Sequence, residues 1–336
     1  MWTLPNPPSP MIGTTQRCLL LACGVMLGAM EVANAQATTE PVGFTTLTIQ
    51  GDGYSLLGQQ LLHPVLAAGI IDTSSGNQVT DTAVHFDSIL TSSDRAVIEV
   101  TPKVIDILSF SGSTLTLSEA VPAGSVYKLR KLWRLSEIFS PELVPEFNPA
   151  EDFNPDTGDL FLIADGQGGY RQYFYSIHPG QTGFFNAATG GKEDPFLNHT
   201  DALLVLRQGE AYWTVIEGAI KITDTAVAIP RRMHPAGVVS AFPTLDNLNL
   251  AASLQAGTRD TADLVWVQDV PTGTLHRYFY SNGTGPGLTT GWRKADPASG
   301  AGNQDEGETF VSPGVIIRRR GSLPHTVVMK APPIGP

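Results

Sequence analysis

Tyr173-Phe174-Tyr175-Ser176 recurs without change as Tyr278-Phe279-Tyr280-Ser281. Around this tetrapeptide the second half of the chain is written twice. Asp159-Leu160-Phe161-Leu162-Ile163-Ala164-Asp165 corresponds to Asp263-Leu264-Val265-Trp266-Val267-Gln268-Asp269, and Gly183-Phe184 to Gly291-Trp292. Leu204-Val205-Leu206-Arg207 corresponds to Val315-Ile316-Ile317-Arg318, and Thr214-Val215-Ile216 to Thr326-Val327-Val328. The spacing between copies grows along the chain, and the growth falls in Gly-, Asn- and Pro-bearing segments. Loops that vary in length on a conserved scaffold produce that drift. Two copies of about 100 residues predict a pair of duplicated domains; a solenoid stacks more copies of a shorter unit.

Within each copy the apolar segments are short, β-branched and aromatic, and turn clusters such as Pro271-Thr272-Gly273 and Ser281-Asn282-Gly283 separate them. Of the 336 residues, 34 are Gly and 25 are Pro, while only 16% are charged. That balance excludes coiled coils and helical repeats, which avoid Gly and Pro in their interiors. The expected class is all-β. Residues 36–131 read as an N-terminal small barrel or sandwich, with strands at Val42–Ile49, Ala96–Val100, Ile105–Phe110 and Val126–Trp133 among others. The duplicated β domains are expected at 132–233 and 234–336. Leu135–Phe139 and Thr244–Leu248 read as short helical pieces, with Ser136 and Asp246 as caps.

Arg17, the apolar run Cys18–Met30 and the small-residue site Ala33-Asn34-Ala35 have the form of an export signal over residues 1–35. Cleavage is expected after Ala35, with Ala37 as the alternative, and Met11 offers a second start. Leu20-Leu21-Ala22-Cys23 also permits a lipoprotein reading. Both cysteines lie inside this segment, so the mature chain carries neither disulfides nor Cys-ligated metal. The expected location is the periplasm, the cell surface or the extracellular space, with no transmembrane segment. The net charge of −11 argues against nucleic acid, whose phosphates require clustered Lys and Arg. Arg318-Arg319-Arg320 is the one basic run, and it reads as an Arg-flanked turn.

These features resemble a family of uncharacterised secreted bacterial proteins of the verrucomicrobial type. Its members have a Thr-Thr-x-Pro-Val-Gly-Phe mature start, here Thr38–Phe44, followed by an N-terminal β region and two copies of a Tyr-rich strand with a downstream Gly-Trp. Gly183-Phe184 departs from Gly-Trp in the first copy. The resemblance implies export and this architecture, and it transfers no catalytic residue.

Two groups of side chains carry candidate chemistry. Asp152, Asn154 and Asp156 place oxygens at alternating positions, with Asp159 a fourth candidate, as the opening of a calcium loop does, although the Gly comes one place late and Ile163 occupies the position of the bidentate Glu. Calcium is the only cofactor this suggests; a plain Asn/Pro/Asp turn is the competing reading. Tyr173, Tyr175, Tyr278, Tyr280 and Trp292 form an aromatic set that, if exposed, would stack on sugars or anchor a partner. If buried, they are core. The seven histidines show no metal-ligand spacing, and no nucleophile elbow, phosphate loop or dinucleotide fingerprint occurs. The expected function is therefore a non-enzymatic structural or interaction protein with protein or glycan partners. Self-association through exposed strand edges is a further possibility, a carbohydrate-binding module is the alternative, and a hydrolase with a dispersed site is third.

Overall fold

A computed structural model describes residues 40–331 apart from 141, 143, 145–146, 166–168, 241–242, 285–287 and 297–303. The segment read as an export signal, with both cysteines, lies outside the described residues. The chain is all-β, with strands joined by turns and by short 3-10 turns. No helix among the described residues is long and apolar enough to cross a membrane.

The chain opens with β1 (Val42–Ile49), β2 (Tyr54–Gly58) and β3 (Leu61–Leu62). Seven strands follow: β4 (Ala67–Ile70), β5 (Thr73–Ser75), β6 (Gln78–Thr80), β7 (Ala96–Val100), β8 (Lys103–Ser111), β9 (Thr114–Leu117) and β10 (Val126–Lys131). These seven form one antiparallel sheet in the order β4-β10-β7-β8-β9-β6-β5 around their own core, which includes Phe86, Ile98, Ile105, Leu115 and Leu129. Next come β11 (Trp133–Arg134), β12 (Leu160–Ala164), β13 (Tyr170–His178), β14 (Gln181–Asn186), β15 (Phe196–Leu197), β16 (Ala202–Leu206) and β17 (Tyr212–Ile220). The last run is β18 (Thr225–Ile229), β19 (Met233–Gly237), β20 (Leu264–Gln268), β21 (Leu275–Asn282), β22 (Thr290–Lys294), β23 (Gly314–Arg318) and β24 (His325–Met329).

Strand pairing redraws the units read from the sequence. One five-stranded sheet has the order β14-β13-β12-β16-β2 and the other β22-β21-β20-β23-β19, so β2 in the first copy stands where β19 stands in the second. Likewise β1 pairs with β17 as β18 pairs with β24. Each repeat is thus a sandwich of a five-stranded sheet over a smaller one. The first repeat begins at β1 and resumes after β10, with the seven-stranded sheet inserted in it. The second runs uninterrupted from β18. Period-two alternation explains why these segments close into sandwiches. In β1 the side chains of Leu47 and Ile49 are buried while Phe44 and Thr46 face out. Each large core side chain so buried contributes roughly 1.5–3 kcal/mol.

The short helical pieces are 3-10 or plain turns, and neither expected cap acts as one. Ser136 Oγ instead donates to Asp194 Oδ2 at 2.7 Å, and Asp246 lies in the turn preceding the 3-10 segment Leu250–Ala252. The register between copies also shifts by one residue late in the repeat. Leu160 pairs with Leu206 while Leu264 pairs with Arg318, so Arg207 corresponds to Arg319. By the same alternation the buried Thr214 corresponds to the buried Val327.

The repeats meet about a pseudo-twofold relation: β2 packs on β23, and reciprocally β16 packs on β19. Gly58 and Gly237, which hold equivalent positions, meet at this seam. A methyl group added at Gly58 would lie 2.7 Å from Gly237 Cα and 2.0 Å from the Pro313 carbonyl oxygen.

Candidate functional site

The residues singled out from the sequence are mostly structural. Asp159 is fully buried, and its carboxylate accepts from Arg207 Nη1 at 3.0 Å, from the Gln208 amide at 3.1 Å and from the Asn148 amide at 3.2 Å. Its lone pairs are thereby spent on the protein. Asn154 Oδ1 accepts from the Asp156 amide at 3.1 Å, capping the 3-10 turn Pro155–Thr157, while Asp152 and Asp156 point to solvent. The four oxygens do not converge, and among the described residues no group of three His, Cys, Asp or Glu side chains is placed to hold a metal. The segment forms a turn beside a buried ion pair, the competing reading of these residues.

That ion pair is duplicated. Asp263 accepts from Arg319, from the Arg320 amide at 2.7 Å and from the Gln255 amide at 2.6 Å. The clasp fixes the end of β16 or β23 to the segment preceding β12 or β20. The basic run is therefore half structural: Arg319 is buried in the second clasp, while Arg318 is exposed.

The aromatic set falls mostly in the core. Tyr173, Tyr175, Tyr278 and Trp292 are buried and Tyr280 is half-buried. Tyr175 meets Phe184 edge-on with centroids 5.1 Å apart, and Tyr280 meets Trp292 likewise at 5.6 Å. Gly183 and Gly291 precede these partners with φ of +126° and +132°, a conformation that L side chains rarely adopt. The Gly-aromatic motif thus supplies a bend and a core ring.

One polar cluster escaped the sequence reading. Arg130 of β10 donates to Glu99 Oε1 of β7 at 3.0 Å and also pairs with Glu40. His199 Nδ1 lies 3.9 Å from Glu99 Oε1, and Lys221 Nζ lies 3.8 Å from Glu99 Oε2. The cluster joins the inserted sheet to the first repeat, and Glu99, Arg130, His199 and Lys221 are all buried. Substrate cannot reach it. The available signal was Glu99, the one charged residue of the otherwise apolar β7.

Burial, reinforced by Arg130 and Lys221, pushes the His199 pKa down to about 3, so the ring is neutral in the fold. Unfolded, it binds a proton below about 6.5. Its contribution to stability is therefore complete above that pH and is lost as pH falls toward 3. Asp201 acts in the opposite sense, since burial raises its pKa to about 6. Comparison with a variant isolates the histidine. Between pH 7 and 4.5 the stability gap between wild type and His199→Gln should shift by about 2–3 kcal/mol in favour of the variant, read from urea melts. A gap that does not move with pH would place the His199 proton elsewhere.

An accessible groove lies at the seam. Along the open edge of β1, facing the 268–271 and 310–313 segments of the second repeat, runs a groove of about 410 Å³. Thr46, Thr48, Gln50, Gln60 and Asp269 give it hydrogen-bonding groups, and Phe310 stands exposed at its rim. Some of its walls are braced across the seam. Gln268 Nε2 donates to the Tyr54 carbonyl at 2.7 Å, its Oε1 accepts from the Leu56 amide at 2.7 Å, and Gln50 Nε2 donates to the Val270 carbonyl. Beside the groove the outer face of β1 and β17 carries Trp213, 64% exposed and opposite Thr48, and Phe44, 71% exposed and opposite Glu217. Val215, 50% exposed and opposite Thr46, lies between them.

The chain matches no family model, no curated protein and no solved structure.

Proposed function

We propose that the chain is an exported, non-enzymatic interaction protein of the periplasm, cell surface or extracellular space, and that the seam between its repeats is its working surface. The observation that carries this reading is the exposure of Phe44 and Trp213 on one face, next to a polar groove. Large rings exposed together mark binding surfaces more often than folding requirements. The apolar run and small-residue site at the N-terminus support export, and the sealed state of the Glu99 cluster favours binding over acid–base chemistry.

The mature chain should co-sediment with cell envelopes of the organism that encodes it. Trp213→Ala together with Phe44→Ala should cut the bound fraction about tenfold. Leu108→Ser, an exposed change on the inserted sheet, should leave it unaltered. Sedimentation that ignores the double substitution would remove the seam as the working surface.

A further inference from the structure

We infer that the seam groove accommodates an uncharged polysaccharide chain lying along β1, with Trp213 and Phe44 as stacking platforms. This rests on the reading of the seam as the working surface. Three observations carry it.

The first is the chemistry of the groove. Its lining offers threonine hydroxyls, glutamine amides and a single carboxylate, Asp269, and no cationic residue. An anionic ligand would meet no countercharge and one repelling group. A neutral polyol finds donors and acceptors matched to its hydroxyls. The volume of about 410 Å³ suits a short stretch of such a chain.

The second is the spacing of the rings. Thr48, opposite Trp213, lies four residues along β1 from Phe44, on the same face. At strand rise the two rings stand about 13 Å apart. One sugar cannot bridge that distance, but several linked sugars can. Aromatic rings combine a flat apolar face with low conformational-entropy cost, which suits stacking on the apolar face of a pyranose.

The third is a comparison within the molecule. The second repeat has the same fold and the same Asp–Arg clasp, yet Ala228 and Thr326 occupy the pair of positions equivalent to Thr48 and Trp213. Moreover, the edge of β18 is covered, because the Ala226 amide donates to the Pro102 carbonyl of the inserted sheet at 2.7 Å. The scaffold does not need the Trp213 ring, and the first repeat combines that ring with an open edge.

The test is affinity electrophoresis of the mature chain through gels containing soluble neutral polysaccharides (a β-glucan, a xylan and a mannan) or the polyanion alginate, with light scattering on the same samples. At least one neutral polymer should retard the protein saturably. Trp213→Ala should weaken that retardation about tenfold or more and Phe44→Ala by a smaller factor, with alginate inert. Absence of retardation by any neutral polymer would overturn the inference, as would retardation that survives both substitutions or is stronger in alginate. If the gels are blank while envelope sedimentation still depends on Trp213, the partner is not a neutral glycan but the seam remains the working surface. A dimer that Trp213→Ala dissociates would assign the face to a second copy and overturn the glycan.

Discussion

Arg207→Ala will destabilise the chain by about 3–5 kcal/mol, the cost of leaving a buried charge without its partner. The geometry explains the size of the effect. Asp159 is fully buried and Arg207 is 7% exposed, so water cannot replace the guanidinium. Arg207 also donates through Nε to the Glu210 carbonyl at 2.8 Å and lies over the Tyr212 ring at 5.0 Å. Removal of the arginine strips these contacts and leaves a carboxylate that, among the described residues, keeps the Gln208 and Asn148 amides. Replacing both partners, Asp159→Asn with Arg207→Met, removes the stranded charge and should recover a substantial part of the loss. Urea denaturation of the three chains reads this directly. A single variant within about 1 kcal/mol of wild type would mean that the pair is solvated in solution.

Gly58→Ala should cost about 3 kcal/mol or more, although it adds only a methyl group. The methyl would collide with the Pro313 carbonyl and with Gly237 Cα, both of which are backbone, so no rotamer change relieves the contact. The two repeats would have to move apart along the seam. Gly53→Ala is the matched control: its methyl would meet nothing closer than 3.5 Å, and its backbone is not in the left-handed region. Thermal melts should show a large drop for the first and little change for the second. Equal drops would mean that the seam accommodates the added volume.

The duplication was legible because inward-facing positions recur every second residue and both copies keep the same rings. Its register was legible only in part. Arg318-Arg319-Arg320 offers three alignments to Arg207, and burial of the middle one against Asp263 decides among them. The nesting was not legible, because Leu47 and Ile49 share with Val227 and Ile229 only a pattern of two buried positions, and the inserted sheet separates them from the rest of their repeat. The candidate site was hidden for a related reason. Its walls come from residues as distant as Gln50 and Val270. Tyr212 and Trp213 are neighbours in sequence, and only the pairing of β17 with β1 turns the first inward and the second outward.

The nested arrangement also sets an order of events during synthesis. The inserted sheet has all its strands once Lys131 has emerged, whereas β1 cannot complete its pairing until the chain has grown past Ala219. The earliest strand therefore closes its sandwich only after nearly two-thirds of the polypeptide exists. Contacts so distant make folding slow. Throughout that interval β1 remains an unpaired apolar strand bearing Phe44, a hazard for wrong pairing that the uninterrupted second repeat escapes.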